Sequence, residues 1–269
     1  MMNQHENIQR RSFLMKAGLF STGAVAGGAI PSILQPQQAH GQTGDDPLAW
    51  PFPFVGLDPD VAAQRGYDGF YQGACCYGTV KGILSQWQEL LGEPFTSIPA
   101  DMFKYGEGGV AGWGTLCGTL NGAAAMINLV CAMDPARALI NELMAWYSST
   151  AVPVFIPAGK EPIAQSTSES PLCHVSIGKW CQLAQVTATS NERKERCARL
   201  VADVAKKTCT LLNNQFLNQF AAEHSVSSVT TNCMACHGSS GMNTALGKMQ
   251  CTPCHTVHAF APISDWQNL

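Results

Sequence analysis

Charge is scarce in this 269-residue chain: Asp, Glu, Lys and Arg make up 13% of it, and the formal net charge is −3. No basic face is visible, so the electrostatic footprint that nucleic-acid binding requires is missing. Alternating apolar and polar runs, the mark of half-buried strands, are absent as well. No paired carboxylates and no Ser/His/Asp constellation stand out. The glycines between Gly106 and Gly122 lack both the spacing and the preceding strand of a dinucleotide fingerprint. Nor is there a convincing membrane span, because the low-polarity stretch from Ala17 to Leu34 is interrupted by Gly18, Gly23, Gly27, Gly28 and Pro31.

Sulfur, by contrast, is plentiful, with 12 cysteines. Two copies of Cys-x-x-Cys-His stand near the end, Cys233-Met234-Ala235-Cys236-His237 and Cys251-Thr252-Pro253-Cys254-His255. Thiols three positions apart can add across the two vinyl groups of one porphyrin, and the adjacent histidine then reaches the iron. The same four thiols also approximate the spacing of a four-cysteine zinc site. Zinc needs no histidine after either pair, and both pairs have one. Covalent haem c on Cys233, Cys236, Cys251 and Cys254, with His237 and His255 as proximal ligands, is the reading that uses every residue of both motifs.

Compartment supports it. Gln9-Arg10-Arg11-Ser12-Phe13-Leu14-Met15-Lys16 ahead of a weakly apolar stretch resembles a twin-arginine export signal. Ala39 and Gly41 offer small residues for cleavage. Residues 1–41 are therefore read as a signal peptide and the mature protein as periplasmic, with no stable membrane insertion. That route carries folded proteins, whereas haem c is attached outside to exposed thiols. Both hold if one part folds around a cytoplasmically loaded cofactor, such as an iron–sulfur cluster, while the tail stays open.

The remainder reads as mainly α. Val80, Ile83, Leu84, Trp87, Leu90 and Leu91 keep helical spacing until Gly92 and Pro94. Asp134-Pro135 reads as a cap followed by proline at the first helical position. The clearest helix runs from about Asn191 to Phe220, its apolar stripe including Cys197, Leu200, Val204 and Leu211. Four prolines mark 151–172 as irregular. The expected organisation is a helical cysteine-rich domain over 42–222 and an irregular di-haem segment over 223–269. That tail has too few apolar side chains to fold alone, so two haem rings would form its core.

Eight more cysteines lie outside the haem motifs: Cys75, Cys76, Cys117, Cys131, Cys173, Cys181, Cys197 and Cys209. In an oxidising compartment an even number suggests disulfides, while some, Cys197 among them, fit as small buried apolar residues. The glycine run up to Cys117 permits close backbone approach to sulfur. Cys76, Cys117, Cys173 and Cys181 would make a four-thiolate set.

The middle segment resembles a cysteine-rich redox family with an early Cys, a Gly/Cys/Ala-x-x-Gly block and two later Cys. Here these are Cys75-Cys76, Gly114-Thr-Leu-Cys117-Gly-Thr-Leu-Asn-Gly122, Cys173 and Cys181, with Thr119 where alanine is usual. Followed by two haem motifs, the whole resembles the split-Soret cytochromes c. The resemblance implies a helical homodimer with two c haems per subunit, clustered at the interface. It also implies bis-histidine irons, one ligand crossing from the opposite subunit, and a labile iron–sulfur site.

Three histidines are left for the distal positions: His258, His174 and His224, in that order of preference. His258 lies three residues after His255 and so serves a neighbouring haem and not its own. Electron transfer to a transient periplasmic redox protein is the leading function. A haem-based reductase or peroxidase with one open iron is the alternative. Intact-mass measurement on the exported polypeptide is expected to show two added macrocycles. An unmodified mass would return the four tail sulfurs to the zinc reading.

Overall fold

The computed structural model describes residues 49–255. The expected signal peptide and His258 lie outside them. Six α-helices follow in order: α1 Pro59–Leu91, α2 Gly118–Val130, α3 Met133–Ser149, α4 Cys173–Ala184, α5 Asn191–Phe216 and α6 Ser228–His237. The only β pairing among the described residues is two isolated antiparallel bridges, Leu116 with Leu172 and Val152 with Ser166. The mainly helical expectation is met. Among the described residues no helix is long and apolar enough to cross a membrane.

Helix α1 is really a hairpin. Asp58 caps it, accepting from the N–H groups of Asp60 and Val61 at 2.8 and 3.1 Å, with Pro59 at the first helical position. The helix then breaks at Gly73 (φ −159°, ψ 20°) and Ala74 (φ 64°, ψ −162°). The two arms, 59–72 and 75–91, fold onto each other along a seam of small residues. A Cβ on Gly82 would lie 2.5 Å from the carbonyl oxygen of Ala62, and one on Gly78 would lie 2.8 Å from that of Gly66. Backbone meets backbone there, so no side chain fits.

Helix α5 lies along this hairpin, with Val201 and Ala205 against Gly66. Ser190 caps it by accepting from the Arg193 N–H at 3.1 Å. The apolar stripe is buried as its periodicity predicts, including Leu200, Val204 and Leu212. The helix ends at Phe216, four residues before the expected limit, where Asn218 turns left-handed (φ 56°). Helix α3 starts at Met133, two residues ahead of the expected start. Asp134 and Pro135 thus sit inside the first turn, where a missing N–H is harmless and an acidic group favours the helix dipole.

The core gathers Trp87, Phe95, Leu120, Ile127, Leu139 and Leu143 from α1, α2, α3 and the loop after α1. Each such side chain contributes roughly 1.5–3 kcal/mol by leaving water. The irregular 151–172 stretch is tied to α5 by Asp203, whose carboxylate accepts from the N–H groups of Val154 and Phe155 at 2.7 and 2.9 Å.

Ala74 holds a backbone conformation that essentially only glycine populates, at a cost of about 1–3 kcal/mol. Ala74→Gly is expected to raise the unfolding free energy by about 1 kcal/mol once the extra chain entropy of glycine is subtracted. Urea denaturation reads this directly; a lower midpoint would contradict it.

Candidate metal centre and haem segment

Backbone pairing assembles the first site. Across the Leu116–Leu172 bridge, the Cys117 N–H donates to the Pro171 carbonyl at 2.9 Å and the Cys173 N–H to the Thr115 carbonyl at 2.7 Å. This holds the starts of α2 and α4 together. Cys117 is the N-cap of α2 and Cys173 the first residue of α4, so their thiols meet. Cys75 opens the second arm of α1, directly after the break. It is admitted by Gly118, whose Cβ would strike the Gly106 carbonyl and come within 3.0 Å of the Cys75 Cβ. Thr119, where alanine was expected, hydrogen-bonds Thr79 at 2.7 Å, and Thr79 donates to the Cys75 carbonyl.

The buried thiols form two interacting pairs, Cys75 with Cys197 and Cys117 with Cys173. Within each pair one sulfur favours the thiolate. Cys197 is held well below the usual thiol range by the hydrogen bond from Cys75, then by Arg196 and Arg193, against burial. Cys117 is lowered by the hydrogen bond from Cys173, then by Tyr147 and the Thr119 N–H. Cys75 and Cys173, the donors, are raised by those same bonds and by burial. Helix N-termini at three of the four sulfurs favour negative charge.

The expected set of Cys76, Cys117, Cys173 and Cys181 is only half assembled. Cys117 and Cys173 come together; Cys76 and Cys181 flank them. Cys76 turns toward Gly106, and burial pushes its thiol up to about 12. Cys181 sits eight residues beyond Cys173, about 12 Å along the same helix, too far for both to grip one compact centre. Burial raises it, with Arg193 and Arg196 nearby. The residue that sequence reasoning left in the core is Cys197. Its stripe position disguised it, and the neighbouring Arg193 and Arg196 were the available signal. All twelve cysteines lie among the described residues and are free thiols, so the suggested disulfides are not formed. Cys131 and Cys209 are simply buried.

Whether these residues suit an iron centre can be judged from their neighbours. Arg196 is 1% exposed, and its Nε has no hydrogen-bond partner among the described residues. A buried cation and an orphaned donor beside four thiols are what an anionic thiolate–metal group would satisfy. The site fits.

In the second site Cys233 and Cys236 lie three apart on α6, on one face, with His237 closing the helix. His237 engages the Thr244 hydroxyl through Nδ1 at 3.1 Å, which orients the ring. Residues 251–255 form a single turn, the His255 N–H donating to the Cys251 carbonyl at 2.9 Å. Burial and the neighbouring Cys233 raise the Cys251 thiol, so the two motifs stand near each other. Cys236 and Cys254 are exposed. Thiols at a three-residue spacing, open to solvent and followed by a ring with one fixed nitrogen, fit haem attachment.

The two remaining described histidines differ. His174 is exposed on the first turn of α4, its Cβ close over Gly114. His224 is held by Glu142, which accepts from its Nδ1 side at 2.7 Å and from the backbone N–H groups of Glu223 and His224 at 3.0 and 2.9 Å. Lys207 stands 3.7 Å from the same carboxylate. Burial pushes the Glu142 carboxyl up, but these hydrogen bonds outweigh it and hold the group below the usual glutamate range.

A carboxylate lowered by folding contributes stability that is complete above its unfolded value, about pH 4.3, and is lost as pH falls through its lower folded value. Glu142→Gln is expected to reduce the unfolding free energy by about 1–3 kcal/mol at neutral pH. In urea titrations the gap from wild type should narrow as the medium is made more acidic than that range. A gap independent of pH would contradict the assignment.

Residues 74–211 match the family described as "Putative redox-active protein (C_GCAxxG_C_C)", a span that contains every residue of the thiol site. Over 275 aligned residues the chain is 36% identical to split-Soret cytochrome c of Desulfovibrio desulfuricans (strain ATCC 27774), covering 93% of this chain and 95% of the relative. A solved structure described as "A novel iron centre in the split-Soret cytochrome c from Desulfovibrio desulfuricans ATCC 27774" shares the fold with a TM-score of 0.72 at 36% identity, over 76% of this chain and 90% of that one. With 36% identity to that relative over 93% of its own length, the chain belongs to the split-Soret cytochrome c family.

Proposed function

We propose that this protein is a periplasmic electron carrier holding two covalent c haems per subunit, with a further iron centre, of iron–sulfur type, in its buried thiol site. As a member of its family it is a haem- and iron-based redox protein. The finer reading rests chiefly on one observation: the Cys251 thiol is near enough to Cys233 for the two to influence each other. Two macrocycles attached there, on Cys233 and Cys236 and on Cys251 and Cys254, would be near neighbours. Electrons then pass by short edge-to-edge steps, and no substrate pocket is needed.

His237 and His255 are the proximal ligands in this reading. For the distal positions, His258 keeps its place from the sequence and His224 is favoured over His174. Glu142 fixes the His224 ring by one nitrogen and leaves the other free, the arrangement that supports metal-ligating histidines. Cys75, Cys117, Cys173 and Cys197 are the proposed thiolate set of the iron centre. When bound, that group supplies a one-electron site; the protein buries it, excludes water and provides compensating positive charge.

A homodimer suits the tail, in which Leu246 is fully exposed and little side chain packs inward. A second copy would cover it. The partner in electron exchange is a periplasmic redox protein met through a small, transient contact. Export by the twin-arginine route suits a thiol site already loaded before translocation.

Anaerobically prepared protein should contain two haems per chain and additional non-haem iron. Carbon monoxide added to the reduced protein should leave the visible spectrum unchanged, because six-coordinate irons offer no open position. Carbon monoxide binding would favour the reductase reading. His224→Ala should turn one iron high-spin, and an unaltered spectrum would remove His224 from the ligand pair.

A further inference from the structure

Arg196 carries no motif, yet its surroundings are unusual. It sits on α5 at 1% exposure, and no carboxylate pairs with it among the described residues. Its Nη2 donates to the Ser176 hydroxyl oxygen at 2.9 Å. The same oxygen accepts from the Tyr147 hydroxyl at 2.8 Å. Its Nε is wholly buried and makes no hydrogen bond of good geometry among the described residues. A guanidinium removed from water with no carboxylate beside it has only the neighbouring sulfurs for counter-charge, and an orphaned Nε donor adds to the cost.

What lies around it is sulfur. Cys197 is its chain neighbour, and Cys117 and Tyr147 act on it across the site. Ser176 lies one turn beyond Cys173 on α4, so the clamp on the guanidinium is registered to that thiol. Other charges on α5 are engaged elsewhere. Glu195 binds Lys160, Arg199, Tyr67 and Tyr71, and Asp203 binds the backbone of Val154 and Phe155.

We propose that Arg196 is a positioning residue for the iron centre: a fixed counter-charge, held by Ser176 and Tyr147, that donates Nε–H toward the thiolate-bound group and raises its reduction potential. This rests on the iron-centre reading above. Reduction adds one electron and hence negative charge to the site. A cation locked beside it in a low-dielectric interior stabilises the reduced state more than the oxidised one. Solvent cannot substitute, because the guanidinium is sealed from it.

The test is a redox titration of the anaerobic holoprotein, following the non-haem iron by electron paramagnetic resonance and the haems by absorption in the same sample. Non-haem iron in wild type is counted first; its absence overturns the iron-centre reading and this inference with it. With iron present, Arg196→Met is expected to shift the reduction equilibrium at least tenfold toward the oxidised state, about 59 mV for one electron. The haem equilibria should move less than twofold, and Arg196→Lys should recover most of the shift. Loss of iron from R196M with haem retained, and iron kept in R196K, supports the proposal equally. A potential unchanged in R196M, or R196K indistinguishable from a shifted R196M, overturns it while leaving the iron centre standing. If R196M does not fold, Ser176→Ala decides. Freeing the guanidinium should shift the equilibrium the same way by a smaller step, and an S176A potential equal to wild type overturns the proposal.

Discussion

The short antiparallel contact between Leu116 and Leu172 governs the thiol site, because it forces two helices to begin at the same place. Helix α2 starts beside Cys117 and helix α4 at Cys173, and each start carries backbone N–H groups that no helical carbonyl satisfies. The break in α1 brings a third start, at Cys75. Concentrating amide donors at one point is unfavourable in a dry interior unless something electron-rich is present. Sulfur in its anionic form meets that need, and Arg196 adds a full positive charge to that of the amides. The glycine at 118 is what allows the three starts to approach.

Beyond this cluster the molecule divides into a packed body and a lightly held extension. The body has aromatic and aliphatic layers around α5, with Phe54 stacked on Phe216 at 3.9 Å and Trp87 donating to the Val55 carbonyl at 3.2 Å. The extension touches it through a few polar links: Glu142 with His224, Asn141 with Lys248 at 2.9 Å, and Ser170 with Met249. Such links orient a segment without giving it an interior. On the proposed reading a flat, apolar macrocycle would supply the contact area that these side chains lack, coupling folding of the extension to cofactor attachment.

Much of this was legible from residues alone, and the gaps have physical causes. The Cys-x-x-Cys-His motifs are local: five consecutive residues carry the whole requirement, so the haem-attachment reading needs no tertiary structure. The long helix was visible because its apolar period runs unbroken from Cys197 to Leu212. The first arm of α1 escaped notice because its inner face is Ala62, Gly66 and Gly69, which leave no apolar stripe when backbone packs on backbone. The thiol set was half legible. Cys117 and Cys173 follow from the motif, which leaves Cys75 and Cys76 open as its early cysteine; a chain reversal puts Cys75 beside them, and Cys197 arrives by helix crossing, which leaves no local pattern. His224 was ranked last because the carboxylate that orients it stands 82 residues away.

The two families of cysteine differ in depth. Cys75, Cys117, Cys173 and Cys197 are sealed inside the body, while Cys236 and Cys254 face solvent. An attachment enzyme that must grasp a thiol and its flanking backbone meets only the second group. On the proposed reading the folded body would act as its own mask: chemistry destined for porphyrin would be steered to the tail, and sulfurs intended for iron would be spared modification without any competing recognition sequence.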